Sequence, residues 1–321
     1  MREHVWHIRQ QKRPKGKEDG TWSKTVAARA TQEWVSSLSR RVVTAIVAIP
    51  VVLAMVWFGG WVTFAGAFII VGLGIYELHS IFHKIGYLPL TWFSFIVATA
   101  LLLGAIIGPF RYLSMELTIT ALVLGSLSWL LIRRHQTGTA LVDWALTLVM
   151  ALYLGWPLSY LVTLRGMGGA YATTSHGLVA TAATNHFWWV LVALFGVWAF
   201  DSAAFFTGRF FGKHKLAPLI SPAKTWEGVA GGTIFAIVAT FVFTRPITGG
   251  VAWYNVLALG ALISFAATVG DLSESLIKRQ ADVKDSGAFF WGHGGVLDRI
   301  DSLLFAAVVV YFYVTLVLHV V

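Results

Sequence analysis

A chain of 321 residues that is 57% hydrophobic and 12% charged is not built like a soluble globular protein, where about 25% charged residues is usual. With no cysteine, it has neither disulfide nor thiolate chemistry. The net charge of +9 does not point to nucleic acid, because ten of the 24 Lys and Arg lie in residues 1–41 and most others in short stretches between apolar runs.

Residues 1–41 are polar and basic, and the first apolar run begins only near residue 42, too late for a signal peptide. Over 24–41 a helix would place Val26, Ala30, Trp34 and Leu38 on one side, with Arg29, Arg40 and Arg41 available to lipid phosphates. A solvated cytoplasmic tail is the favoured reading over this interfacial helix. Apolar runs follow at about 42–58, 61–82, 90–108, 115–132, 141–163, 186–206, 227–244, 252–276 and 302–320. Crossing the hydrocarbon core takes about 20 helical residues, so the expected fold is an all-α polytopic integral membrane protein with about nine transmembrane helices. Gly59-Gly60 suits a tight hairpin, and Pro50 and Pro157 are candidate kinks.

With a cytoplasmic N-terminus and strict alternation, cytoplasmic segments hold 21 Lys and Arg, while the opposite side holds Arg111, Arg165 and Arg245. This asymmetry predicts the orientation and places the loops at 207–226 and 277–301 in the cytoplasm. The expected organisation is a tail (1–41), a transmembrane scaffold (42–185) and a C-terminal catalytic region (186–321). Glu77 and His79 are a candidate proton or headgroup site; more often such groups are paired near a helix end. The stretch 164–185 is assigned no chemistry.

Residues 270–301, GDLSESLIKRQADVKDSGAFFWGHGGVLDRID, carry six acidic and four basic residues between apolar segments. Charge is retained at a membrane only with partners or a function. If 271–278 continues the preceding helix, Asp271, Glu274, Ser275 and Lys278 share one face. If 298–301 opens the last helix, Asp298 and Asp301 stand one turn apart. Gly292-His293-Gly294-Gly295 lies between as flexible backbone. The pattern suits a metal-bound phosphate. Upstream, Asp201 lies inside an apolar helix and calls for a partner, a cation or water. Gly208-Arg209-Phe210-Phe211-Gly212-Lys213 is a basic, flexible loop. Ser221-Pro222 reads as the N-cap and first residue of a helix whose free amides would bind an anion, with Lys224 and Glu227 on one face.

The first stretch resembles the signature of the phosphatidate cytidylyltransferases (CDP-diacylglycerol synthases) at Ser275, Lys278-Arg279, Lys284-Asp285, His293-Gly294-Gly295, Asp298-Arg299 and Asp301. It departs at Trp291, where the family has Pro or another small residue. The upstream block is similar to the family's Ser-Pro-x-Lys-Thr-x-Glu-Gly motif at Ser221, Pro222, Lys224, Thr225, Glu227 and Gly228, and Asp201-Ser202 and Gly208-Arg209 also match. The resemblance implies conversion of CTP and phosphatidic acid to CDP-diacylglycerol and pyrophosphate, at the cytoplasmic face of the cell membrane. Phosphatidate brings its own nucleophilic oxygen, so positioning and electrostatics supply the catalysis. Mg²⁺, with a second metal ion open, would be held by Asp271 and Asp298 with Asp201 or Asp301. Lys224, Lys278, Arg279, Lys284 and Arg299 would bind the triphosphate and headgroup. Ser221, Gly294 and Gly295 would donate to phosphates, as would His293. Arg209, Lys213, Glu227, Ser275 and Asp285 complete the candidate binding set. Phe205, Phe206, Phe289 and Phe290 would line lateral access for the lipid.

Each assignment has a plainer rival. Asp201 could pair with a neighbouring base only to join helices, the basic loop could be a topology signal, and His293 could shape its loop. Asp298 and Asp301 could simply face a helix N-terminus. The rival function is a secondary transporter of a phosphorylated anion, which the intramembrane Asp fits and the absence of an inverted repeat disfavours. A homodimer is left open, and nucleic acid is not expected.

Overall fold

The computed structural model describes residues 46–106, 111–133, 138–166, 178–247, 249–287 and 294–319. The candidate residues His293, Trp291, Phe289 and Phe290, and the tail through residue 45, lie outside the described residues. The elements in chain order are α1 (Ile46–Phe58), α2 (Gly60–Lys84), α3 (Thr91–Ile106), α4 (Arg111–Arg133), α5 (Ala140–Gly166) and α6 (Leu178–Phe211). A small antiparallel hairpin, β1 (Lys215–Ala217) and β2 (Ser221–Thr225), precedes α7 (Trp226–Thr244), α8 (Trp253–Gln280) and α9 (Leu297–Phe312). A π-helical turn over Tyr313–Val317 extends α9.

All nine apolar runs are therefore helical among the described residues. Seven of the helices are long and apolar enough to cross a membrane. The described parts of the other two, Ile46–Phe58 and Thr91–Ile106, are shorter. α1 and α5 run continuously through Pro50 and Pro157. Large apolar side chains such as Ile69, Leu131, Phe235 and Phe265 point outward, as lipid-facing residues do. The chain is a multi-pass membrane protein.

Lipid tails are as apolar as Leu, so helix association rests on close packing and polar ties rather than on escape from water. α7 meets α6 through Gly228 and Gly232: a Cβ at Gly228 would lie 2.8 Å from the Ala204 carbonyl, and one at Gly232 2.6 Å from Phe200. Gly270 brings α8 against the backbone of α9 at Asp301 in the same way. Two main packing clusters result. One is centred on Trp189 of α6 and joins Val56, Leu259, Ile263, Ala307's neighbour Ala306 and Val310. The other joins Ile75, Leu102, Met150 and Leu154 to Leu297, Ile300 and Leu304, so α9 is seated on the first half of the chain.

Polar contacts define the two ends of the bundle. Arg165, at the end of α5, donates to the carbonyls of Val56 (2.6 Å) and Trp57 (3.1 Å) and closes the C-terminus of α1. At the opposite end, the Leu88 amide donates to Asp143 at the start of α5 (2.7 Å), and His79 shares a 2.7 Å hydrogen bond with Thr91 at the start of α3. The C-terminal ends of α2, α6 and α8 and the N-terminal ends of α7 and α9 meet there.

Candidate active site

At that end, α6, the hairpin, α7, α8 and α9 enclose a cleft of about 700 Å³. Its lining carries five carboxylates (Asp201, Asp271, Glu274, Asp298, Asp301) and four bases (Arg209, Lys215, Lys224, Lys278). α8 continues through Gln280, which puts Asp271, Glu274, Ser275 and Lys278 on one face. α9 opens at Leu297, which stacks Asp298 and Asp301 one turn apart. Both local predictions hold.

Two lysines bind the acids of neighbouring elements. Lys224 Nζ of β2 makes a 2.6 Å ion pair with Asp271 Oδ2 of α8, and the Ser275 hydroxyl donates to Asp271 Oδ1 at 3.3 Å. Lys278 Nζ sits between Glu274 Oε2 at 2.7 Å and Asp298 Oδ1 at 2.5 Å. Glu274 is almost wholly buried, and its Oε1 has no hydrogen-bond partner. Asp298 Oδ2 accepts from the Gly295 amide (2.8 Å), the Ser286 amide (3.0 Å) and the Ser286 hydroxyl (2.9 Å). Gly294 has φ +78°, a left-handed conformation that favours glycine, and a Cβ there would collide with the Asp298 carboxylate. Asp301 is buried, and its Oδ1 accepts from the Ser302 amide at 2.7 Å. Asp201 of α6 lines the cleft and is exposed to it.

The Ser221-Pro222 reading is corrected. Residues 221–225 form β2, with Ala217 opposite Ser221 and Lys215 opposite Thr225. The helix starts at Trp226, capped by Thr225, whose hydroxyl accepts from the Gly228 amide at 3.2 Å. Antiparallel pairing with β1 holds 221–225 extended, and Thr225 is itself a good N-cap. As a result Lys224 and Glu227 do not share a helix face. Lys224 turns into the cleft, whereas Glu227 accepts from the amides of Lys213 (3.1 Å) and His214 (3.2 Å) and hydrogen-bonds the His214 ring at 2.6 Å.

Asp201, Arg209, Lys224, Asp271, Lys278, Asp298 and Asp301 are thus brought together, and Ser275, Gly294 and Gly295 touch or adjoin the acids. Ser221, Lys213, Glu227, Arg279, Lys284, Asp285 and Arg299 do not line the cleft. Arg279 donates instead to the carbonyls of Ile220 and Val283, both at 3.2 Å, fastening the hairpin tip to α8. The sequence reading gave no role to Glu274 or Lys215, both in the cleft wall, nor to Ser286. Glu274 carried a usable signal, its i,i+4 spacing to Lys278.

A bundle of membrane-length helices with one acidic and basic cleft at its polar end belongs to the class of polytopic membrane enzymes that handle phosphates. The cytidylyltransferase family model matches residues 39–317, and the chain belongs to that family. A phosphatidate cytidylyltransferase of Brucella suis is 32% identical over 283 residues, covering 87% of this chain and 94% of that protein. One of Synechocystis is 30% identical over 305 residues, 88% of this chain and 98% of that protein. One of Haemophilus influenzae is 50% identical over a shorter stretch of 111 residues, 33% of this chain and 38% of that protein.

Proposed function

We propose that this enzyme is a phosphatidate cytidylyltransferase of phospholipid biosynthesis, converting CTP and phosphatidic acid to CDP-diacylglycerol and pyrophosphate. A phosphatidate oxygen attacks the α-phosphorus of CTP, the bond from that phosphorus to the bridging oxygen breaks, and pyrophosphate leaves with that oxygen. The observation that carries the site assignment is the meeting of two distant sequence blocks in one cleft, through the ion pair of Lys224 with Asp271.

The donor set fits a hard divalent cation such as Mg²⁺. Carboxylate oxygens crowd the cleft, and Glu274 Oε1 is buried without a hydrogen-bond partner. Among the described residues no three acidic or His side chains converge as a ready-made metal site. Mg²⁺ commonly relies on one or two carboxylates completed by substrate phosphates. Asp271 and Asp298, with Asp201 or Asp301, would hold it, and the remaining acids are the candidates for a second ion. The ion would offset phosphate charge as the new bond forms.

Lys224 and Lys278 exchange their carboxylate partners for phosphate oxygens, and Arg209 adds charge at the rim. These groups orient two polyanions that would otherwise repel one another. Phe205 and Phe206 are exposed beside the cleft and form the lipid side of its mouth. The Lys and Arg asymmetry supports a cytoplasmic N-terminus and cleft, where CTP is found. The test is pyrophosphate release by purified protein with dioleoyl phosphatidic acid, Mg²⁺ and each of CTP, UTP, ATP and GTP. The expected result is release that requires lipid and CTP and is abolished by EDTA and by Asp298→Ala. Folded protein that releases nothing, or an Asp298→Ala variant with normal turnover at limiting Mg²⁺, would overturn the reading or that assignment respectively.

A further inference from the structure

Glu77 lies in α2, far in sequence from both charged blocks, and is buried at 4% exposure. Its carboxylate is fully engaged by the segment that leads into α9. Oε1 accepts from the Val296 amide at 2.8 Å. Oε2 accepts from the Leu297 amide at 3.0 Å and from the Ser286 hydroxyl at 3.0 Å. The carboxylate also fills the space where a Cβ at Gly287 or Gly295 would sit. Glu77 therefore binds two separate points ahead of Asp298, at 286–287 and at 295–297.

The same atoms hold Asp298. The Ser286 hydroxyl is shared between Glu77 Oε2 and Asp298 Oδ2, at 3.0 and 2.9 Å, and the Ser286 and Gly295 amides complete the donors on Oδ2. With Oδ2 saturated, Oδ1 is the oxygen turned to Lys278. A carboxylate at a helix N-terminus is favoured by the free amides alone. That explains the Val296 and Leu297 contacts, but not why Ser286 bridges Glu77 to Asp298.

Building on the phosphatidate cytidylyltransferase reading, we propose that Glu77 is a positioning residue for the reaction, fixing through Ser286 and the first amides of α9 the direction in which Asp298 presents Oδ1. It touches no substrate. Its first-half location means that α2 takes part in catalysis by setting the geometry of the second-half site.

The variant is Glu77→Gln in the full-length chain. It keeps shape and volume. With its amide oxygen where Oε2 was, its NH₂ faces the Val296 N–H, donor against donor. Loss of such an orienting partner typically lowers activity about 10- to 100-fold. The expected result is a fall of that size in kcat, with KM for phosphatidate within about threefold of wild type. Amide hydrogen exchange at 294–297 should speed up, a readout that needs no turnover. Val71→Ala, in the packed core of α2 away from the turn, should lower the unfolding temperature and leave kcat unchanged in folded protein. If Glu77→Gln cannot be purified folded, Ser286→Ala substitutes for it. It removes the bridge while leaving the Glu77 contacts to α9, and should lower kcat several-fold. Wild-type kcat in folded Glu77→Gln, or in Ser286→Ala where that variant stands in, would overturn the proposal. Absence of CTP- and lipid-dependent release in the wild type would instead remove the reading beneath it.

Discussion

Lys278 lies between the buried Glu274 carboxylate and the partly buried Asp298 carboxylate, and replacing it by Met tests how the cleft is held together. Breaking a buried ion pair by removing one partner costs about 3–5 kcal/mol, because a charge is left without compensation. The structure says which carboxylate bears most of that. Asp298 keeps three donors on Oδ2 after the lysine is gone. Glu274 loses its hydrogen bond on Oε2 and already has no partner on Oε1. Lys278→Met should therefore lower stability by about 3 kcal/mol or more, a shift of over 100-fold in the folding equilibrium. Adding Glu274→Gln should restore more than half of it, whereas adding Asp298→Asn should restore little. Thermal unfolding of the four proteins in one detergent, at fixed lipid content, measures this, and pyrophosphate release should stay below about 1% of wild type in every Lys278→Met background. Rescue by Asp298→Asn rather than Glu274→Gln, or wild-type stability in Lys278→Met, would refute the charge accounting.

Other outcomes follow from the packing and the topology. Gly228→Ala puts a methyl group against the Ala204 carbonyl and should destabilise the α6–α7 contact by about 1–3 kcal/mol, seen as a lower unfolding temperature. Arg165→Met leaves the α1 carbonyls at Val56 and Trp57 unpaired and should cost about 1–3 kcal/mol, with kcat of the folded fraction unchanged because Arg165 is at the far end of the bundle. The chain lacks cysteine, so single-cysteine variants report sidedness cleanly. In intact cells a membrane-impermeant maleimide should label Ala252→Cys and spare Leu219→Cys at the exposed hairpin tip, and the reverse pattern would invert the orientation.

Sequence alone determined the class of this protein and which charged side chains share a helix face. Apolar runs of membrane length separated by short charged stretches leave few architectures other than a helical bundle, because backbone polar groups in lipid must bond within their own segment. Helical periodicity also placed Asp271 with Lys278, and Asp298 with Asp301, since those groupings depend only on position along one helix. Tertiary structure decided the rest. Ser221 and Pro222 look like a helix start until β1 pairs with them, and that pairing sends Lys224 to Asp271 and Glu227 away from the cleft. The tie from Glu77 to residues 286–297 spans more than 200 positions and has no local signal. Such a contact exists because α2 and α9 both pack on α5, and packing between distant helices depends on the shapes of their surfaces, information that no single stretch of the chain contains.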